Sequence, residues 1–100
     1  MKILYVHERF GALAGAEANV SIVATELGQR GHDTGILHGP GTGKNEEGWR
    51  AIFPHRFPLS GSGAESVRNA LRDFQPDVVF VHKMPDLDVI SALVESGVPL

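Results

Sequence analysis

The amino-acid sequence predicts an α/β fold, and three observations carry that expectation. Short runs of β-formers, Lys2 to Val6, Thr34 to His38 and Val78 to His82, recur along the chain. Between them lie segments whose apolar residues repeat on a helical period, as at Ala16, Val20, Val23, Ala24 and Leu27. The run Val78 to Val81 is apolar without alternation, the habit of a parallel strand buried on both faces. Strands separated by helices in one short chain imply a parallel sheet with helices on its faces.

Each element has its own local signature. The first strand, Lys2 to Val6, is too brief for a helix and ends at the polar residues His7, Glu8 and Arg9. Gly11 and Gly15 open a turn into the first helix, and Gly31 follows that helix as a stop. Thr34 to His38 is the second strand. The segment Gly39 to Trp49, rich in glycine and charge, is expected to be a mobile loop, and Ala51 to Phe53 a weak third strand closed by Pro54. Ser62 and Glu65 have the spacing of a capping box ahead of a helix whose apolar face is Val67, Ala70, Leu71 and Phe74, with Pro76 ending it. Asp86 caps a last helix with the stripe Leu87, Ile90, Leu93 and Val94, and Gly97 terminates it. Val98 to Leu100 resembles the approach to another strand. The expected order is β-α-β-β-α-β-α with the next strand missing, a Rossmann-like, three-layer arrangement of which residues 1–100 form part.

Composition narrows the function classes. With 42% apolar and 21% charged residues, the 100-residue chain has the make-up of one globular domain. A formal charge of −3 disfavours a broad nucleic-acid footprint. No apolar stretch is long enough for a bilayer span, and the amino terminus lacks the apolar core of a signal peptide. No cysteine is present, so disulfides, thiolate metal sites and a cysteine nucleophile are excluded. A cytoplasmic location is expected. Arg68 and Arg72, four apart on one helix, offer a small basic patch for peripheral contact with a membrane.

Ligands of open parallel sheets bind beyond the carboxyl ends of the strands. That rule selects His7, Glu8, Arg9 and Phe10 after the first strand, His38 and Gly39 after the second, and His82 and Lys83 after the last. The three histidines have no metal-ligand spacing, and no metal is expected. The turn Gly11 to Ala16 places free backbone amides at a helix start, where a phosphate is favoured. It lacks the dinucleotide fingerprint, and His38 stands where a ribose-binding acid belongs, so a nicotinamide enzyme is disfavoured. Gly39 to Asn45 imitates a P-loop, but His38 and Asn45 occupy its required Gly and Ser/Thr positions, and no apolar helix follows. A receiver-type acid cluster and a Gly-x-Ser-x-Gly elbow are both missing. No catalytic residue is identifiable from these patterns.

Three stretches together resemble the amino-terminal domain of family-4 glycosyltransferases, which have the two-domain GT-B fold. They are MKILYVHERF, GALAGAEANVSIVATELGQRGHDTGIL and FQPDVVFVHK. Gly15, Ala16 and Glu17 match the family's glycine-loop motif, with Ala14 in place of its first Gly. Arg30 to Asp33 match its helix end. Pro76 to His82 match its fourth strand, with Phe80 in place of the commoner His. The similarity spans most of the chain and is weakest from Gly39 to Ser60.

The resemblance implies a fragment of a retaining transferase that moves a sugar from a nucleotide-sugar donor to a sugar or lipid-linked acceptor. Gly15 and Ala16 would offer amides to the donor diphosphate. Glu17 would face the acceptor or brace the loop, His82 and Lys83 would line the acceptor side, and His7, Glu8, Arg9 and Phe10 the cleft floor. The nucleotide sugar is a substrate, and no cofactor is implied. The donor-binding domain would follow Leu100, so the chain by itself is expected to be inactive. Alternatives from other classes are a non-catalytic binding module, the amino-terminal part of a GT-B sugar-nucleotide epimerase, and a small Rossmann-type enzyme complete at this length. The DNA downstream of Leu100 discriminates them: a further domain supports the transferase, an immediate stop codon the module. An unpaired fourth-strand edge is also expected to recruit a second copy as a homodimer burying Val78 to Val81.

Overall fold

A computed structural model of the chain describes residues 1–12 and 14–100. Four strands and four helices alternate strictly: β1 (Lys2–His7), α1 (Gly15–Gln29), β2 (Asp33–His38), α2 (Glu46–Ile52), β3 (His55–Pro58), α3 (Gly63–Phe74), β4 (Val78–Lys83) and α4 (Leu87–Ser96). The sheet is parallel throughout, in the order β3-β2-β1-β4. The α/β, Rossmann-like class is therefore the one expected.

Side-chain alternation along β1 divides the core into two layers. Leu4 and Val6 pack with Leu37 against Val67, Ala70 and Phe74 of α3 and Val89 and Leu93 of α4. Ile3 and Tyr5 pack with Ile36 against Val20 and Ala24 of α1 and against Trp49 and Phe53. Helices thus cover both faces of β1, which is buried along five of its six residues.

The local caps explain where the helices start and stop. Ser62 Oγ accepts from the Glu65 amide at 3.1 Å, and Asp86 Oδ1 accepts from the Asp88 amide at 2.9 Å. Gly97 ends α4 at φ 77°, a left-handed conformation that glycine adopts without steric cost.

Four expectations need correction. The third strand lies at His55–Pro58, and Ala51 and Ile52 instead close the last turn of α2. That helix has two turns and a polar surface, so only Trp49 and Phe53, one turn apart, mark its buried side. Gly39 to Asn45 is a tethered loop: Phe10 donates to the Pro40 carbonyl at 3.1 Å, Thr42 to Phe10 at 2.9 Å, and Ala12 to Lys44 at 2.8 Å. A helix does follow that loop, although its sequence still fails the P-loop pattern. In α4, Val89 and Leu93 face the sheet, while Leu87 and Val94 of the expected stripe are exposed; Val23 of α1 is likewise exposed.

The fourth correction concerns β4, which lies at the edge of the described sheet. Val79 is fully buried under α4, but Phe80, on the opposite face, is half exposed. The Val79 amide donates to the Pro99 carbonyl at 2.8 Å, so residues after α4 return to this edge.

Candidate functional site

Strand order locates the site. β1 connects through α1 to β2 on one side, whereas the chain leaving β3 crosses to β4 on the other. The connections therefore diverge between β1 and β4, and the carboxyl end of that gap is the expected ligand crevice. The structure places His7 and Glu8 on one lip, and His82 and Lys83 on the other.

A bulge shapes this crevice. Val6 pairs with Val81 but His7 pairs with Lys83, so His82 is an extra residue on β4. A bulge re-aims the side chain it carries. The ring of His82 meets that of His7 edge to face, with centroids 5.3 Å apart. At the outer rim Lys83 Nζ lies 3.3 Å from Glu8 Oε1, a partly exposed pair worth no more than about 1 kcal/mol.

Beneath the rim lies a buried, hydrogen-bonded brace. His7 is fully buried and its Nε2 lies 2.7 Å from Glu17 Oε2. Glu17, itself buried, accepts the Ala14 amide at 3.0 Å through its other oxygen. Of the two roles expected for Glu17, bracing the loop is the one its contacts perform. Burial pushes the Glu17 carboxyl up, but the hydrogen bonds from His7 and from the Ala14 amide outweigh it, and the group titrates below its ordinary range. Burial lowers the pKa of His82, helped by His7 and Lys83 and opposed by Glu17, so the ring is neutral at pH 7. The Nδ1 atoms of His7 and His82 are buried without a protein hydrogen-bond partner.

The turn before α1 opens on this brace. Leu13, within the turn, lies outside the described residues. Among the described residues nothing outside the helix's own start approaches within 4 Å of where a Cβ on Gly15 would sit, so that side of the first turn of α1 is open to them. Gly11 is constrained in the opposite sense: its φ is +116°, and a Cβ there would stand 2.6 Å from the Lys44 carbonyl. A cavity of about 490 Å³ adjoins α1, lined by Ala14, Glu17, Lys44, Asn45 and Trp49 among others. Lys44 was not among the expected site residues, because its motif failed; the tether between Ala12 and Lys44 brings it to the start of α1.

Of the remaining expected residues, Phe10 is buried and stacks on His38 with centroids 4.5 Å apart, and Arg9 is exposed. His38 thus stays with Phe10, apart from the His7–His82 pair. Among the described residues, no group of three or more His, Cys, Asp or Glu side chains could hold a metal ion. No described helix is long and apolar enough to cross a membrane. Compared with models of known families, with curated proteins and with solved structures, the chain matches none of them.

Proposed function

We propose that the chain is part of the amino-terminal, acceptor-side domain of a retaining glycosyltransferase of GT-B type, using a nucleotide-sugar donor. The observation that carries this reading is the pairing of an open helix start with a crevice at the sheet's switch point. The amides of Gly15 and Ala16 at the start of α1 suit a diphosphate leaving group, whose developing charge they would stabilise, and Lys44 lines the adjoining cavity together with Ala14 and Glu17. His82 and Lys83, on the bulged end of β4, suit an acceptor hydroxyl. Glu17, held by His7, braces the loop from below through the Ala14 amide.

The test is transfer by the protein expressed from its full reading frame, against a panel of nucleotide sugars. Transfer or donor hydrolysis with at least one of them is expected, and replacement of Gly15 by a bulkier residue should reduce it at least tenfold. Absence of both reactions with every donor overturns the reading. A docking module without catalysis is the second reading, favoured by the full burial of the His7–Glu17 pair, the one His–carboxylate pair at the crevice among the described residues.

A further inference from the structure

A second, separate pocket opens on the other flank of the sheet, at the carboxyl ends of β2 and β3. Its volume is about 290 Å³, and Phe10, His38, Glu46, Arg50 and Arg56 line it. We infer that this pocket binds a phosphate-sized oxyanion, as the free ion or as the phosphomonoester of a small polar molecule, through the guanidinium groups of Arg50 and Arg56 and the His38 ring.

Arg56 is oriented in advance. Its Nη1 donates to the carbonyls of Arg50 at 3.1 Å and Phe53 at 3.0 Å, at the C-terminal end of α2 where partial negative charge collects. One nitrogen of the guanidinium is thereby anchored to the backbone, and neither Arg56 nor Arg50 has a carboxylate within ion-pair distance among the described residues. Two arginines lining one small cavity, neither in an ion pair there, fit the planar, multidentate recognition of an oxyanion.

His38 is held too. Its Nδ1 lies 2.8 Å from the Gly39 carbonyl and donates to it, so Nε2 accepts from a phosphate hydroxyl when the ring is neutral and donates to an oxyanion oxygen once the ring is protonated. Phe10 packs against the ring and makes the floor. The Glu46 carboxylate is the one opposing charge in the lining. Its Oε2 accepts the Gly43 amide at 2.8 Å, so it is engaged by the loop, and two cations still exceed it. The same carboxylate would accept hydroxyl donors from whatever carries the phosphate. Burial and the nearby Arg56 lower the His38 pKa, against Glu46 and the Gly39 carbonyl, and an anion placed between the cations would reverse part of that.

This inference does not rest on the transferase reading: phosphate binding can hold where transfer fails, and the reverse. The experiment is an NMR titration of the chain with inorganic phosphate at constant ionic strength, repeated with glucose 6-phosphate and with glucose. Saturable shifts centred on His38, Arg50 and Arg56 are expected with both phosphates and none with glucose. The Arg50 side chain makes no hydrogen bond among the described residues, so Arg50→Gln should weaken phosphate binding about tenfold without loss of fold, in line with a charge-assisted hydrogen bond. Arg56→Gln should weaken it by at least as much. Two outcomes overturn the proposal: shifts that fail to saturate and spread equally over Arg30, Arg68 and Arg72, or Arg50→Gln binding phosphate as the parent does.

Discussion

The two flanks of the sheet solve the same topological problem in opposite ways. On the β1–β4 flank the carboxyl end is dry: His7 and Glu17 are sealed, His82 is folded over them by a bulge, and the strand edge beside them is apolar. On the β2–β3 flank the end is open and basic, and the edge strand is four residues long, bounded by Pro54 and Pro58 and carrying His55 and Arg56. Short, charged, proline-bounded edges discourage pairing with other chains. The β3 edge has those features, whereas β4 is six residues long, has no proline and is apolar from Val78 to Val81, its one charged residue, Lys83, lying at its end. One flank is finished towards solvent, and the other is built to be covered and braced.

The sharpest way to break this contrast is to unpair the brace. Glu17→Ala leaves the buried His7 Nε2 without an acceptor, and urea unfolding should show a loss of about 3 kcal/mol. Glu17→Gln keeps an acceptor and should lose less than half as much. Because the folded pKa of Glu17 is depressed, its contribution is complete above the ordinary carboxylate pKa of about 4.3 and is lost as pH falls through the folded value. The parent should therefore lose stability on the acid side of that range, and Glu17→Gln should show a shallower acid limb. Matching changes on Arg50→Gln would mean that the flanks do not differ in kind.

The β4 edge gives the next largest effect. Phe80 is 51% exposed, and a groove of about 520 Å³ runs from Val79 and Val81 to Ile90 and Leu100 without a charged side chain in its lining. A second copy of the chain is the occupant we expect there, since the run Val78 to Val81 is apolar and only the single Val79–Pro99 hydrogen bond competes with self-pairing among the described residues. Light scattering at high micromolar concentration should show species heavier than the monomer. Val81→Lys, half-buried at this edge, should shift that equilibrium at least tenfold towards monomer, while Arg56→Gln on the opposite edge should leave it unchanged. A parent that stays monomeric across the concentration range would remove self-pairing from the contrast.

The same contrast separates what the sequence makes legible from what it hides. Helices α1, α3 and α4 were readable because their signals are local: Ser62 and Asp86 as caps, Gly97 as a stop, and an apolar period over several turns. Helix α2 was not, since two turns give one repeat, Trp49 to Phe53, and a repeat of one is no period. Misplacing that helix also moved β3 and hid the pocket, because Arg50 and Arg56 converge only once the α2–β3 turn is in place. On the other flank His82 and Lys83 were found from the rule for strand ends, but the bulge was not. Register depends on which backbone atoms pair across β1 and β4, and no side-chain pattern encodes that here.

A smaller effect tests the dry layer between the flanks. The Tyr5 hydroxyl is buried without a protein partner, and burial raises its pKa. Its ring packs edge-on to Phe53 at 5.5 Å, so Tyr5→Phe keeps the packing and removes the unpaired group. Stability should be unchanged or higher by up to about 1 kcal/mol. A loss above that amount would mean the hydroxyl has a partner and the layer is wetter than its lining implies.

The least perturbing comparison uses the two histidines themselves. His82 and His38 both titrate below the ordinary histidine range, each mainly through burial, but their charged neighbours differ: His7, Lys83 and Glu17 for His82, and Arg56 and Glu46 for His38. A depressed histidine pKa favours the unfolded chain as the better proton acceptor. Both rings should therefore subtract stability as pH falls through about 6.5 towards their folded values. NMR titration of the ring protons separates them, and inorganic phosphate then sharpens the difference. An anion held between Arg50 and Arg56 must raise the His38 pKa, because it offsets the cation beside the ring. The charged neighbours of His82 are His7, Lys83 and Glu17, not the arginines that would hold the anion, so His82 should titrate as before. Equal upward shifts at both rings would mean a general salt effect, and the basic flank would lose its distinction from the dry one.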